Sequence, residues 1–559
     1  MTEPAPPPSW SRDLLLLALA FGVIFGFRLG NHPLANPDEG RYAEVPREML
    51  AAGDFVTPRL DGVPYFEKPP LMYWAVAVCL KVLGSSEWSV RAAPALFGLG
   101  GVLLTYAAGR RLHGRSAGLL AAAVLGTSLL YFALTRILTL DMAVSVLMSA
   151  TLFCFLLGVR EPAGARRRWR FYGLYASAAL ATLSKGLMGF LVTGAVMFLW
   201  LLVFQQWRRL RPLYLPTGAL LFLAVAAPWH VLAAQRNPAW PRFYFIFEHW
   251  ERFISTSHQR TEPWWFFLPI LAAGLFPWIG FLGSAARGAL AGGWTRRKEN
   301  ADAWFLVTWA VFILLFFSAS QSKLVPYILP VFPPLAVLIG VGLARTLADT
   351  TGASLLGGFR LFAFACGLLV AALCVAVLKP GVIREPGQAV ALRPYALAMA
   401  AVLVVGGVAV LWVAKARGTR GGLAVLAATT LGFYVILAFA APVIERPGTK
   451  ALAQQVAALL RPGDRIYHYH GFFHDFTFYA SCVVGTVSYQ DELELPFLDP
   501  AERTARFVDD AEFRRQWAGP GRLFAVARRQ DAPELFGDPA FHYHLLGETR
   551  AHYLFSNQP

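Results

Sequence analysis

The chain has 559 residues, of which 56% are hydrophobic and 15% are charged, and its mean hydropathy is +0.49. Soluble globular chains have about 45–50% apolar and about 25% charged residues, so this composition excludes an ordinary soluble protein and predicts an integral membrane protein. The net charge of +16 lies in short clusters between apolar runs. This distribution indicates that the lysines and arginines keep loops in the cytoplasm, and it argues against a nucleic-acid partner.

The first apolar run, residues 13–30, predicts a membrane helix that is retained in the mature protein. Little positive charge precedes it, and no small-residue cleavage pattern follows it. A removed signal peptide would carry both features.

Residues 31–88 are too polar to span a bilayer and too apolar to be an ordinary linker. Charge beside a membrane is costly unless it is solvated, paired or used. We therefore predict a substrate-binding loop pressed against the outer face of the membrane, with a short re-entrant or interfacial helix within residues 69–84. Its two charged clusters are Asn36-Pro37-Asp38-Glu39-Gly40-Arg41-Tyr42 and Tyr65-Phe66-Glu67-Lys68-Pro69-Pro70.

Each cluster offers candidate site residues with a plainer alternative. Adjacent carboxylates such as Asp38 and Glu39 can act as a base, a metal ligand or an acceptor of sugar hydroxyls, but Asp38 could also cap a helix. Lys68 suits a lipid-linked phosphate at the membrane surface. The alternative is a snorkelling lysine beside the acid Glu67.

Apolar runs of about 17–25 residues recur along the chain, each long enough to cross a hydrocarbon core of about 30 Å. Basic clusters that begin at Arg110, Arg166, Arg208, Arg296 and Lys415 separate them. Placing every cluster in the cytoplasm requires an even number of crossings between neighbours. The fold class is therefore a polytopic all-α membrane protein with about thirteen helices, its N-terminus inside and its C-terminus outside. The predicted spans are 13–30, 89–109, 116–134, 142–159, 171–184, 187–206, 216–233, 264–286, 302–318, 328–347, 358–379, 394–414 and 421–443.

The short pair of spans on either side of Ser184-Lys185-Gly186 is the weakest part of this pattern. Losing both would preserve the parity, and losing one would invert everything downstream. With the parity as given, residues 31–88, 234–263 and the tail are the long outer segments, and 135–141 and 318–327 are shorter outer loops.

The outer loops hold further charged and aromatic candidates. Arg136 and Asp141 share one short loop, where they could form an ion pair with each other. In another loop, Lys323 and Tyr327 offer a cation and a phenol at the start of a helix that contains Pro326. Neither pattern is specific by itself.

Residues 243–265 mix aromatic side chains with His249, Arg252, His258 and Arg260. This mixture is typical of an interfacial aromatic belt, and it also suits a polar pocket for an anionic head group. Glu67 and His249 together could form part of a divalent metal site.

In residues 444–559 the long apolar runs give way to short strand and helix patterns, which predict a small outer α/β domain. Helical spacing covers residues 450–460, alternating apolar residues predict strands at 465–470 and 523–528, and a further strand is expected near 542–546. We therefore divide the chain into a membrane domain, 1–443, with outer loops 31–88 and 234–263, and a terminal domain, 444–559.

The combination of motifs is more specific than any one of them. Together, Asn36–Tyr42, Tyr65–Pro70 with Tyr73-Trp74, and Ser322-Lys323-Leu324 through Tyr327-Ile328-Leu329-Pro330 resemble the family of bacterial lipid A 4-amino-4-deoxy-L-arabinose transferases. That family belongs with the protein O-mannosyltransferase-like membrane glycosyltransferases of the GT-C fold. The resemblance covers nearly the whole chain.

The resemblance implies a role for each matching residue. Asp38 matches the catalytic aspartate, with Glu39 beside it, and Asp141 matches a second acidic residue. The residues implied at the polyprenyl-phosphate pocket are Arg41, Tyr65, Lys68, Arg252, Arg260, Lys323 and Tyr327. No cofactor is required, although a divalent metal ion at Glu67 and His249 stays open.

The resemblance also implies a substrate pair and a place in the cell. The expected enzyme moves a sugar, aminoarabinose, from undecaprenyl phosphate to a lipid A phosphate. It would sit among membrane lipids in the bacterial inner membrane, with its active site and C-terminus in the periplasm. Two alternatives remain: a transferase acting on a protein hydroxyl or another glycolipid, and a lipid or sugar transporter. A transporter would place charges near the bilayer midplane, whereas here they gather in outer loops.

Overall fold

The structure is a computed structural model that describes residues 9–244, 262–348, 355–379, 382–383, 386–444, 448–490, 493 and 498–559. Most of the described chain before residue 445 is helical, as its long apolar runs predict. The helices of this part are α1 (Trp10–Gly26), α2 (Asp38–Ala52), α3 (Leu71–Leu83), α4 (Glu87–His113), α5 (Arg115–Thr127), α6 (Leu129–Leu134), α7 (Asp141–Gly158), α8 (Ala165–Lys185), α9 (Met188–Phe204), α10 (Leu215–Arg236), α11 (Trp240–Arg242), α12 (Phe267–Gly274), α13 (Ile279–Ala289), α14 (Ala301–Ala319), α15 (Phe332–Ala348), α16 (Leu356–Leu378) and α17 (Pro386–Ile444). Short 3₁₀ helices lie at Trp207–Leu210 and Val325–Val331, and a small hairpin pairs β1 (Arg59–Leu60) with β2 (Val63–Pro64).

Seven of the described helices are long and apolar enough to cross a membrane, or eight if the bent pair α12 and α13 forms one span. The sequence predicts about thirteen spans, and each predicted span coincides with a described helix or helix pair. The lower count has physical causes. Helices α1 and α9 have 17 residues each, and α8 begins with a run of arginines. The number of crossings therefore stays a prediction.

Helix α17 is interrupted at Gly418, where φ is +70°. Its 59 residues, at about 1.5 Å each, would measure roughly 88 Å, about three times a hydrocarbon core of about 30 Å. Glycine adopts a positive φ at little cost, so it is suited to this break. The two arms on either side of Gly418 correspond to the predicted spans 394–414 and 421–443.

Several predicted cytoplasmic clusters meet at one end of the helices. Asp13, near the start of α1, binds Arg110 and Arg115 at 2.8 Å each. Asp302, at the start of α14, binds Arg160 at 2.6 Å and lies 3.8 Å from Arg209. These ion pairs place the first turn of α1 beside the first basic cluster, and the predicted cytoplasmic side of both stays a prediction.

The described residues divide into two compact units. One takes its residues from Met1–Leu29, Pro94–His230 and Phe245–Ile444, and the other from Gly30–Ala93, Val231–Tyr244 and Glu445–Pro559. The second unit thus joins residues of the first outer segment to the tail, whereas the predicted division placed that segment in the membrane domain. The physical reason is a shared hydrophobic core, in which Val45, Leu60 and Tyr73 pack with Phe476 and Phe524.

The tail forms an α/β fold, and the predicted strands at 465–470 and 523–528 and the predicted helix at 450–460 are confirmed. A six-stranded sheet has the order β5-β4-β3-β6-β8-β7. Strands β5, β4, β3 and β6 run parallel, and β8 runs antiparallel to β6 and β7. The tail elements are α18 (Lys450–Leu459), β3 (Arg465–Tyr469), α19 (His474–Ala480), β4 (Gly485–Val487), α20 (Pro500–Arg506), β5 (Phe507–Val508), α21 (Asp510–Trp517), β6 (Leu523–Arg528), α22 (Pro533–Phe536), β7 (His544–Glu548) and β8 (His552–Ser556).

Candidate active site

Asp38 is the first residue of α2, and its side chain does not cap the helix. The N-cap residue is Pro37, and no side-chain hydrogen bond caps this end. Negative charge in a first helical turn is favourable because the peptide dipoles leave that end partly positive. Helix capping therefore does not account for Asp38, although its position on the helix is a stable one.

The Asp38 carboxylate is exposed and is held by a buried cation. Its side chain is 59% exposed, whereas that of Arg41, one turn later, is 8% exposed. Arg41 donates to Asp38 Oδ1 at 2.9 Å and to the Tyr65 hydroxyl at 3.2 Å. The structure thus brings three predicted site residues together, with the carboxylate facing outward and the cation behind it.

Glu39 has surroundings quite different from those of its neighbour. It is 1% exposed and accepts two hydrogen bonds from Arg91, at 2.9 and 2.6 Å. It also accepts a bond from the backbone N–H of Ala35 at 3.0 Å. Breaking a buried ion pair costs about 3–5 kcal/mol. This geometry gives Glu39 a structural role, and its predicted catalytic role stays a prediction.

Arg91 was not among the predicted site residues. It is fully buried and also donates to the carbonyl oxygens of His32 and Pro33, at 2.9 Å each. One feature of the sequence could have identified Arg91: it is a single arginine at the start of an apolar run, where an unpaired charge is costly. Its partner Glu39 lies 52 positions earlier in the chain.

Lys68 lies close to Glu67, as the alternative interpretation expected. Its ammonium donates to the Glu67 carbonyl at 2.9 Å and lies 3.6 Å from the carboxylate. Both side chains are largely buried, at 15% and 13% exposed. Lys68 is therefore paired with its neighbour, and its binding of the donor phosphate stays a prediction.

The proposed metal pair can be followed only in part. His249 lies outside the described residues, as do His258, Arg252 and Arg260. Elsewhere in the described ranges, no group of three or more His, Cys, Asp or Glu side chains could hold a metal ion. Metal binding by Glu67 and His249 stays a prediction.

In the other unit, Asp141 pairs with Lys185, which was not among the predicted site residues. Lys185 donates to Asp141 Oδ1, and its ammonium lies 4.5 Å from the ring centroid of Tyr327. Asp141 begins α7, whose 18 residues, at about 1.5 Å each, span about 27 Å towards the basic clusters. The Asp141, Lys185 and Tyr327 group therefore lies at the opposite end of the helices from those clusters.

Arg136 and Lys323 bind backbone oxygen atoms. Arg136 donates to the carbonyls of Phe25 and Arg28, at 2.9 and 3.2 Å, and Asp141 pairs with Lys185, so both loop residues have partners outside their own loop. Lys323 is 6% exposed and donates to the carbonyls of Glu262 and Ser320, at 2.8 and 2.6 Å. These contacts stabilise the loops around the Asp141 group.

The sequence of this chain is similar to those of known proteins. The sequence profile of the family described as dolichyl-phosphate-mannose-protein mannosyltransferase matches residues 67–231. An undecaprenyl phosphate-alpha-4-amino-4-deoxy-L-arabinose arabinosyl transferase from Erwinia tasmaniensis is 33% identical over 67% of this chain and 67% of its own length. The protein of the same name from Pseudomonas aeruginosa PAO1 is 36% identical over 66% of each chain.

Two solved structures match nearly the whole chain. The crystal structure of ArnT from Cupriavidus metallidurans bound to undecaprenyl phosphate matches with a TM-score of 0.83 and 29% identity, and it covers 98% of both chains. The archaeal oligosaccharyltransferase AglB from Archaeoglobus fulgidus matches with a TM-score of 0.51 and 11% identity. The second likeness concerns the fold alone.

Proposed function

Because the chain belongs to the family of undecaprenyl phosphate-aminoarabinose arabinosyltransferases, we propose that it transfers 4-amino-4-deoxy-L-arabinose from undecaprenyl phosphate to a phosphate group of lipid A. It is a polyprenyl-phosphate-dependent membrane glycosyltransferase with the GT-C fold. The names of its relatives support the donor and the sugar. A donor and an acceptor that both carry lipid chains also account for an enzyme built mainly from apolar helices.

The exposed Asp38 carboxylate is the observation that carries the proposal. Transfer of a glycosyl group builds positive charge on the sugar ring as its bond to phosphate breaks, and a fixed carboxylate stabilises that charge. Asp38 is held in place by Arg41, which is held in turn by Tyr65. A carboxylate that an ion pair orients before the substrate arrives is suited to this task.

Cations are needed to stabilise the negative charge of the departing undecaprenyl phosphate. Negative charge develops on the phosphate oxygen as the glycosyl bond breaks, and a cation in a water-poor site stabilises it more than bulk water would. Lys68 supplies that charge in our proposal. Arg41 adds a second cation behind Asp38, and Arg252 and Arg260, from the loop outside the described residues, are proposed to add more.

The acceptor phosphate can attack without a strong base. A phosphate monoester has a second pKa near 6, so a lipid A phosphate is already ionised at neutral pH. Asp38 then acts by orienting the acceptor and stabilising the sugar, and it does not have to remove a proton. The second acid, Asp141, forms an ion pair with Lys185, and its catalytic role stays a prediction.

The site is proposed to lie at the periplasmic face of the inner membrane, with the N-terminus in the cytoplasm. Polyprenyl-linked donors serve that face because nucleotide sugars are cytoplasmic. Within the first unit, several basic clusters gather at the end of the helices opposite Asp141, which supports this orientation.

A protein hydroxyl is the second candidate acceptor, and one observation favours it. The matching sequence profile, over residues 67–231, is that of protein mannosyltransferases. With a hydroxyl acceptor, Asp38 must take up the proton that the hydroxyl loses, because a hydroxyl is not ionised at neutral pH.

Mass spectrometry of lipid A tests the proposal. Cells that lack this protein should have lipid A without aminoarabinose, and expression of the wild-type chain should restore the modified species. The matched control is the inserted Asp38→Asn protein, which should restore much less. Unchanged lipid A together with newly glycosylated membrane protein would favour the second candidate, and no change in either would contradict both.

A further inference from the structure

The turn that leads into Asp38 is bound by a side chain from the tail. Asn36 and Asp475 exchange two hydrogen bonds: the Asn36 amide donates to Asp475 Oδ1, and the Asp475 backbone N–H donates to Asn36 Oδ1 at 2.9 Å. Asp475 belongs to the first turn of α19, more than four hundred residues after Asn36 in sequence. Both residues are in the same compact unit.

Asp475 is itself tightly fixed. Its side chain is fully buried, and it accepts bonds from the backbone N–H of Thr449 at 2.7 Å and from the Thr449 hydroxyl at 2.8 Å. A buried carboxylate without hydrogen-bond partners would be strongly destabilising. The Asp475 side chain therefore has a fixed orientation, and its hydrogen bonds with Asn36 fix the Asn36 side chain as well.

Helices α2 and α19 also meet at close range. A Cβ atom added to Gly40 would lie 2.5 Å from the backbone nitrogen of Asp475 and 2.7 Å from the carbonyl carbon of His474. Only glycine allows this approach, since real Cβ atoms do not come so near to backbone. The first turn of α2, which carries Asp38, thus lies directly on the first turn of α19.

A second residue of α19 binds the same turn. The Tyr479 hydroxyl accepts a bond from the backbone N–H of Leu34 at 2.9 Å and donates to Glu87 Oε1 at 2.9 Å. Residues 34 and 36 are therefore both held from one tail helix. Pro37 follows, with its φ fixed by its ring, so little freedom remains between Asn36 and Asp38.

We propose that Asn36 and Asp475 are a positioning pair through which the tail domain sets the orientation of the Asp38 carboxylate. This inference rests on the proposed function, in which Asp38 faces the sugar. Neither residue contacts the substrate in this account. A displacement of a reacting group by about 1 Å can cost about a hundredfold in rate, so the pair acts on turnover and leaves the binding of undecaprenyl phosphate largely intact.

A charge-swap series tests the pair. Asn36→Asp places two carboxylates against each other. Asp475→Asn turns an amide NH2 group towards either the Asn36 amide or the Thr449 backbone N–H, each of which donates to the wild-type carboxylate. Each single variant should therefore lower kcat at least tenfold. The double variant restores one acid and one amide, because the new amide at 475 can donate both to position 36 and to the Thr449 hydroxyl. It should regain kcat to within a few-fold of wild type.

Epistasis with Asp38 separates positioning from simple destabilisation. In the Asp38→Asn background, Asn36→Ala should lower kcat by less than threefold further, because the group that Asn36 positions is already gone. In the wild-type background the same change should cost at least tenfold. KM for the lipid-linked donor and binding of undecaprenyl phosphate should change little in both backgrounds. Thermal unfolding of every variant checks that it is folded.

Three results would overturn the proposal. Equal losses from Asn36→Ala in both backgrounds would show that Asn36 acts independently of Asp38. Failure of the swapped pair to recover, with its unfolding temperature at the wild-type value, would exclude the hydrogen-bonded pair as the cause. Wild-type turnover of folded Asn36→Ala would do the same. An Asp38→Asn variant with wild-type activity would instead contradict the proposed function itself.

Discussion

Asp38 and Glu39 are neighbours in sequence with opposite surroundings, and the helix explains the difference. Successive residues of an α-helix are rotated by about 100° around its axis, so one carboxylate faces outward while the other faces Arg91. The sequence pattern identified both acids but could not separate them, because it did not show which face α2 buries. The pairing of Lys185 with Asp141 could not be predicted for a similar reason, since the two residues lie 44 positions apart in the chain.

Lys68→Ala should lower turnover strongly in a protein that is still folded and inserted. Loss of a charge-assisted contact made mainly in the transition state costs roughly 2–4 kcal/mol, or about a 30- to 1000-fold loss of kcat. The measurement is the transfer rate from purified lipid donor. The matched control is Lys81→Ala, an exposed lysine on the neighbouring helix α3, which should transfer at the wild-type rate. Activity of Lys68→Ala within a few-fold of wild type would leave Lys68 as a snorkelling residue.

Asp38→Asn should distinguish the two acceptor classes through the dependence of rate on pH. With a phosphate acceptor the loss should be moderate and nearly constant above about pH 7, because the nucleophile is already ionised. With a hydroxyl acceptor the loss should reach about 10²- to 10⁴-fold, as removal of a general base does. Undecaprenyl phosphate should still bind in either case. A wild-type rate and pH profile in the variant would refute a chemical role for Asp38.

At the scale of elements, local patterns predicted the strands and helices of the tail well. Alternating apolar residues and helical spacing are properties of a short window, and they gave β3, β6 and α18 nearly to the residue. The packing of α2 on α19 could not be predicted in this way. It depends on Gly40 and on pairs such as Asn36 with Asp475 that are distant in sequence.

A buried acidic cluster shows the same dependence on distant residues. Glu44, Glu48 and Asp61 are all buried, and Arg47 and Arg506 neutralise the first and the last of them, at 2.6 and 2.5 Å. Burial raises the pKa of Glu48 to about 8, with repulsion from Glu44 adding to it. Burial likewise raises the pKa of Asp61 to about 7, although Arg506 opposes the shift.

These shifts predict that the folded protein loses stability as pH rises from about 4, near the ordinary pKa of the two carboxyls, to about 8, the folded pKa of Glu48. A carboxyl whose pKa is raised by folding binds more protons in the folded state than in the unfolded state, so its contribution is full below the ordinary pKa and is lost as pH rises through the folded pKa. The slope is at most about 1.4 kcal/mol per pH unit for one proton. Glu48→Gln removes one such group and should flatten the dependence, measured as thermal unfolding in detergent at several pH values.

Glu534→Gln is the matched control because Glu534 is exposed. It should show the wild-type dependence on pH. An equally steep loss of stability in Glu48→Gln would contradict the assignment of the shift to Glu48.

At the scale of the whole molecule, composition and basic clusters predicted a polytopic membrane protein. Composition and basic clusters could not predict that the first outer segment groups with the tail. The two stretches are separated by most of the chain and share one hydrophobic core. The span count depends on helices that are short or polar at one end, such as α1 and α8. Hydropathy alone does not decide whether those helices cross.

Reporter fusions test the predicted topology. A reporter active only in the periplasm should be active when fused after Pro559 and silent when fused after Arg167, because Arg167 belongs to a basic cluster assigned to the cytoplasm. Protein level and insertion of each fusion are checked in parallel. An inserted but inactive fusion at the C-terminus would overturn the predicted orientation and with it the periplasmic site.

Transfer by purified components tests the central claim most directly. The protein, reconstituted in detergent or liposomes, would be given undecaprenyl phosphate-linked aminoarabinose and lipid A, and the products would be identified by mass spectrometry. We expect lipid A that has gained one aminoarabinose on a phosphate and an equal amount of released undecaprenyl phosphate, with a moderate loss in Asp38→Asn and a strong loss in Lys68→Ala. Unmodified lipid A and intact donor, with folded wild-type protein that binds undecaprenyl phosphate, would contradict the account.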